Sequence, residues 1–214
     1  MEIRFDNKTV VVSGAGHGFG RCIAETFAGL GARVFGCDLS ADELAETTKS
    51  GVTAAVVDLT NRAAAASWIA GVERATGGAI DVLVNNAGGV AGQEPHPLEE
   101  VADGDWDRIF AVNVGAAFAL SRAAAPAMKQ AGRGRIVNIS SGAGLQPSLT
   151  GIQAYCSAKH AVVGLTRRWR MSSGRTASPS TVSHRGLCAP TPRRRSNGPV
   201  MAPTDRRRWS NVSR

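Results

Sequence analysis

Tyr155 and Lys159 stand four residues apart in a segment of helical spacing, so a helix would carry both on one face. A phenol titrates near about pH 10 and is a poor base at neutral pH, but a neighbouring ammonium favours its ionised form. The pair can therefore give and take a proton in a carbonyl/alcohol interconversion. Tyr155 is the only tyrosine in the chain, so no other phenol competes for that role. Ser140 and Ser141 lie upstream, where a hydroxyl could hydrogen-bond a substrate oxygen. Serines at a strand end are also ordinary turn chemistry. Asn113 falls inside a helical stretch, where asparagine carries a modest cost and commonly faces solvent. Asn85-Asn86-Ala87-Gly88 follows an apolar run and by itself reads as a turn. Each of these is unremarkable alone, and it is their order and spacing that makes them a set.

A second set sits near the start. Ser13-Gly14-Ala15-Gly16-His17-Gly18-Phe19-Gly20 joins the apolar run Thr9-Val10-Val11-Val12 to the helical stretch from Arg21. Glycines at such a junction permit a tight turn, close approach of backbone to a pyrophosphate, and close packing of helix on strand. The helix N-terminus then offers free N–H groups and the positive end of its dipole to phosphate. Asp38 ends the next apolar run, about 20 residues on, where a partner for a ribose hydroxyl belongs. Its carboxylate can accept from a 2′-hydroxyl and would repel a 2′-phosphate. No Arg or Lys occupies the loop before Arg21, and Leu39 follows the aspartate. The expected cofactor is NAD(H) rather than NADP(H).

The elements that must position these groups alternate. Strands are expected at Ala32–Asp38, Gly51–Val57, Ile80–Val84 and Arg135–Ser140 after the first at Thr9–Val12. Helices are expected at Ala41–Lys49, from Thr60 as cap to about Thr76, from about Asp105 to Gln130, and around Tyr155. Strict alternation predicts an α/β fold, a doubly wound parallel sheet with helices on both faces. The functional groups then collect at the carboxyl edge of the sheet.

Composition narrows the classes. The 214 residues suit one α/β domain. Cys22, Cys37, Cys156 and Cys188 show no CxxC pairing, and four scattered histidines show no ligand spacing, so neither a metal site nor a disulfide framework is expected. With no apolar leader and no window that reads as bilayer-spanning, the expected location is the cytoplasm, without a membrane partner. The net charge of +8 hides a break. Up to Thr166 the balance is −3; from Arg167 on it is +11, with 12 arginines against Asp205 alone. Five of the nine prolines also lie there, with no apolar periodicity, so residues 167–214 are expected to be a disordered Arg/Ser/Pro-rich tail.

Together the motifs resemble the short-chain dehydrogenase/reductase family over about residues 8–166. The loop of Ser13 to Gly20 is similar to the family's TGxxxGxG, Asn85–Gly88 to its NNAG, Val112-Asn113-Val114 to its helix asparagine, and Tyr155–Lys159 to its YxxxK. The resemblance implies a Rossmann-type fold and hydride transfer between NAD and a secondary alcohol or ketone, with 3-oxoacyl-type substrates among the candidates. It implies Tyr155 as acid/base, with Lys159 on the nicotinamide ribose. Ser141 would position the substrate carbonyl, and Asn113 would hold a relay water. Ser13, Gly14, Gly16, His17, Gly18, Phe19 and Gly20 would take the pyrophosphate side. Asp38, Asp58 and Leu59 would take the adenosine side, with Asn86, Ala87 and Gly88 also against the cofactor. The serine-to-tyrosine interval of 14 is one residue longer than the family's. A homodimer or homotetramer through the Asp105–Gln130 and Tyr155 helices is implied as well.

After Gly164-Leu165-Thr166 the resemblance ends, and the later family strands are expected to be missing. Met171 to Ala189 can nevertheless be encoded so that the same bases, read from the third position, give ELGPHGITVNSVAPGLVR. That peptide is similar to the absent family segment, and one base lost near codon 168 would account for the change. An exposed fifth strand and an unstable, weakly active protein are then expected. Three functions follow: a hydride-transferring oxidoreductase, a remnant that binds cofactor only, and, well behind, a basic-tailed nucleic-acid binder. The acidic body and the lack of a reading motif argue against the last, so no nucleic-acid partner is expected.

Overall fold

A computed structural model describes residues 3–146, 150–172 and 181–183. Five strands come first in the sequence pattern: β1 (Thr9–Ser13), β2 (Arg33–Asp38), β3 (Thr53–Val56), β4 (Val82–Asn85) and β5 (Arg135–Ile139). A sixth, β6 (Thr181–Ser183), completes a parallel sheet in the order β3-β2-β1-β4-β5-β6. β1 is central and buried along all five residues, which is why it reads as an unbroken β-branched run. Along it the faces alternate: Val11 packs with Leu83, Ile136 and Ile69, whereas Val10 and Val12 pack with Val34, Val84 and Ala24.

The helices cover both faces. α1 (Gly18–Gly29) and α2 (Ala41–Thr48) lie on one; α3 (Arg62–Thr76) and α5 (Ala116–Gln130) lie on the other. α2 starts at Ser40, whose hydroxyl accepts from the Glu43 N–H, with Asp42 and Glu43 suiting the positive end of its dipole. α4 (Asp103–Phe110) leads through a π-helical turn, Ala111–Gly115, into α5. α6 (Gln153–Ser172) carries Tyr155 and Lys159.

Four expectations are corrected. The sheet does not end at β5: β6 pairs in parallel with Val137, Asn138 and Ile139, so three residues of that edge are covered. The helix of Tyr155 continues past Thr166 to Ser172, carrying the half-buried Trp169 against the cluster of Met128 and Ile136. The cap of α3 is Asn61, whose Oδ1 accepts from the amides of Ala63 and Ala64, and not Thr60. Finally, the continuous run Asp103–Gln130 is long and apolar enough to cross a bilayer by length and composition. Half of its apolar window is buried inside the fold, because α5 packs on α3 and beside β4. That is the pattern of a core helix. Apart from α6 and β6, the expected tail at 167–214 lies outside the described residues.

Candidate active site

The glycine loop makes its turn where a side chain could not follow. Gly14 has φ +66, and a Cβ there would stand 2.9 Å from the Ala87 Cα and from Asn86 Nδ2. Ser13 stitches this loop to the end of β4: its Oγ accepts from the amides of Asn86 and Ala87, each at 3.0 Å. Asn86 Nδ2 returns bonds to the carbonyls of Ser13 and Gly14. α1 then begins with no side chain capping it and no acidic residue in its first turn, which leaves its first amides to whatever lies in front. Gly20 is the packing glycine. A Cβ there would run into the Gly14 carbonyl and lie 2.5 Å from Asn86 Nδ2. Backbone cannot yield, so Gly20→Ala is expected to cost about 1–3 kcal/mol of stability, read as a lower denaturant midpoint. An unchanged midpoint would mean that the loop does not pack as described.

In front of the loop lies an open pocket of about 410 Å³. It brings together Gly14, His17, Gly18, Phe19, Asp38, Asp58, Leu59, Asn86, Ala87 and Gly88 of the expected set. Ser13, Gly16 and Gly20 are buried and do not line it, and neither do Tyr155 and Lys159, which were also expected against the cofactor. Val57, Thr60, Val112 and Ala116 line it unforeseen. Thr60 is absent from the cap because its N–H and Oγ bond the Asp58 carboxylate, at 2.9 and 2.7 Å. Those two bonds hold the Asp58 carboxyl below the usual carboxylate range. The Asp38 carboxylate is oriented by two amides, Gly16 N–H at 2.9 Å and Leu39 N–H at 2.7 Å.

The proposed chemistry sits at the end of β5. Tyr155 and Lys159 are both buried, at 7% and 4% exposed, and the Lys159 Nζ lies 5.6 Å from the Tyr155 ring centre. Nζ also donates to the Ile139 carbonyl at 3.2 Å. The two serines divide. Ser140, fully buried, spends its hydroxyl on the Lys159 carbonyl, whereas half-buried Ser141 caps the turn Gly142–Gly144. Asn113 is 2% exposed, so the solvent-facing reading is excluded. Its Nδ2 donates to the Ile109 and Gly89 carbonyls, both at 2.8 Å, and its Oδ1 accepts from the Gly89 N–H. An asparagine in the π-turn thus ties that turn to the loop after β4, and a π-turn at such a place is a frequent mark of function.

The described residues hold two further groups. His17, Asp38 and Glu43 bring ligand atoms within 4.8 Å of one another, which their spacing in the chain did not foretell. Their atoms are already engaged, His17 Nδ1 with Glu43 Oε2 at 2.8 Å and Asp38 with its two amides. Cys22, Cys37 and Cys156 are free thiols, and burial pushes the Cys37 thiol far up, so it stays neutral in the core.

Residues 8–184 match the short chain dehydrogenase family. The chain belongs to that family. The match extends beyond Thr166, over α6 and β6. Among its short-chain dehydrogenase relatives, the D-beta-hydroxybutyrate dehydrogenase of Rhizobium meliloti is 40% identical over 170 residues, 75% of this chain and 63% of that one. The gluconate 5-dehydrogenase of Gluconobacter oxydans is 38% identical over 77% of this chain and 65% of its own. The chain thus spans just under two thirds of the length of these relatives. The crystal structure of levodione reductase superposes with a TM-score of 0.76 at 28% identity, covering 81% of this chain and 69% of that one.

Proposed function

We propose that the protein is an NAD-dependent oxidoreductase that interconverts a secondary alcohol and a ketone. The observation that carries this reading is the placement of Asp38 on the pocket rim, beyond an uncapped helix start and a glycine turn. That order suits adenosine at one end and pyrophosphate in the middle. The residues present fit a nicotinamide dinucleotide, which when bound supplies the hydride acceptor or donor.

The chain's own residues do the rest. Tyr155 Oη passes the proton to or from the substrate oxygen. Lys159, buried beside the ring and anchored on Ile139, fixes a positive charge next to that phenol. Ser141, not committed to α6 as Ser140 is, donates its hydroxyl to the substrate carbonyl. Asn113 holds the π-turn against Gly89 through its side-chain amide, and a relay water would be held beside it. The substrate is a small alcohol or ketone, and the site works in the cytoplasm in a dimer or tetramer.

Asp38→Ser tests the cofactor half. Removing the carboxylate is expected to narrow the preference for NADH over NADPH by about 100-fold, two charge-scale steps of roughly 1.4 kcal/mol each, in a fluorescence titration. A chain that binds both cofactors equally before the change would sink the assignment to NAD.

A further inference from the structure

Behind the pocket, an arginine and a threonine that do not touch it are joined to Asp38 by a single chain of hydrogen bonds. The Arg21 Nε–H, shared with the Gly16 carbonyl at 2.8 Å, also reaches Thr47 Oγ1 at 3.2 Å, and that hydroxyl donates to the Ala15 carbonyl at 2.8 Å. The Glu43 carbonyl, at 3.4 Å, is the weaker alternative acceptor for the same proton. The Ala15 carbonyl and the Gly16 N–H are the two ends of one peptide group, and that N–H donates to Asp38 Oδ2 at 2.9 Å. A cation therefore stands at one end of the relay and a carboxylate at the other. Each bond polarises the next in the same sense.

The relay is also mechanically closed. Thr47 is fully buried at 0% exposure, although it belongs to a short surface helix. Arg21 grips the Gly16 carbonyl through Nε and Nη2, and its Nη2 reaches the Glu43 carbonyl at 3.0 Å. The glycine loop, α1 and α2 are thereby locked together beside the Ala15–Gly16 peptide, one of the two whose amides orient the carboxylate. A Cβ on Gly16 would stand 2.9 Å from the Asp38 carboxyl, so the peptide and the acid are in contact with no slack.

We propose that Arg21 and Thr47 are positioning residues that set the cofactor preference by holding the Ala15–Gly16 peptide against Asp38. The proposal rests on the reading of Asp38 as the acceptor for a ribose 2′-hydroxyl. A carboxylate fixed in plane by two amides presents its remaining lone pairs in one direction, and a loosened one presents them in many. Loss of the relay costs the cofactor that needs this direction and spares the one that does not.

The test titrates the full chain with NADH and with NADPH, following cofactor fluorescence. Thr47→Val removes the hydroxyl and keeps the shape; Thr47→Ser keeps the hydroxyl. The Thr47→Val chain is expected to bind NADH about tenfold more weakly with NADPH little changed, and Thr47→Ser to restore the original ratio. Arg21→Gln, at a half-exposed position, is expected to lower the NADH-to-NADPH preference about threefold and serves if Thr47→Val does not fold. A preference ratio unchanged in Thr47→Val, or in Arg21→Gln where that is the variant that folds, overturns the proposal while leaving the Asp38 reading intact. Unaltered protein that binds neither cofactor, or both alike, overturns that reading and the proposal together.

Discussion

Tyr155→Phe is expected to lower turnover by about a thousandfold while leaving NADH binding within a factor of about two. The phenyl ring keeps the packing of Tyr155 against Ile109, Ala143 and Ile152, so the variant should fold as the parent does. Only the hydroxyl is lost, and with it the proposed proton donor and acceptor. The buried Lys159 makes the split sharper. Its ammonium is anchored on the Ile139 carbonyl, so a cofactor contact made by it survives the change. Steady-state rates with a panel of secondary alcohols, paired with a fluorescence titration of NADH, measure both halves. A variant that turns over at the parent rate would remove Tyr155 from the chemistry. A variant that also loses NADH would mean that the ring, rather than the proton, was being tested.

The second large effect is expected from restoring the other reading frame from about codon 168. Among the described residues, the outer edge of β5 is covered over three residues. The alternative peptide ELGPHGITVNSVAPG would supply a longer β-branched strand for that edge, followed by a Pro-Gly turn. At roughly 1.5 kcal/mol or more for each newly buried Val, Ile or Leu, the expected gain is about 5 kcal/mol of stability. Turnover should rise about a hundredfold as the reacting groups are held more closely. The coding DNA is read first, then the thermal midpoint and the rate of both forms. Coding DNA without that peptide in the shifted frame would end the hypothesis, as would a restored protein that melts and turns over like the present one.

The local devices were legible in the sequence because they are written in neighbouring residues. The β-branched run at Val10 to Val12 announces a strand buried on both faces, and alternation with helical stretches announces the parallel sheet. The demand for φ +66 at Gly14 and for a missing Cβ at Gly20 is a demand for glycine, visible as such. Tyr155 and Lys159 share a helix face by spacing alone. The cap of α3 was harder, because Thr60 and Asn61 are adjacent and both suited. Asp58 decided it by claiming the threonine.

What the tertiary structure alone decided are the contacts made across long stretches of chain. Asn113 is buried because the π-turn aims its amide at Gly89, 24 residues away. The relay from Arg21 to Asp38 exists because α2 folds onto the same face as α1, bringing Thr47 within 2.8 Å of a carbonyl 32 residues earlier. His17, Asp38 and Glu43 converge for the same reason. β6 pairs with an edge that the amino acids after Thr166 gave no periodic signal for. Periodicity records which residues lie three or four apart on a helix or two apart on a strand. It does not record which helix face meets which loop, and the orientation of the carboxylate in the pocket depends on that meeting.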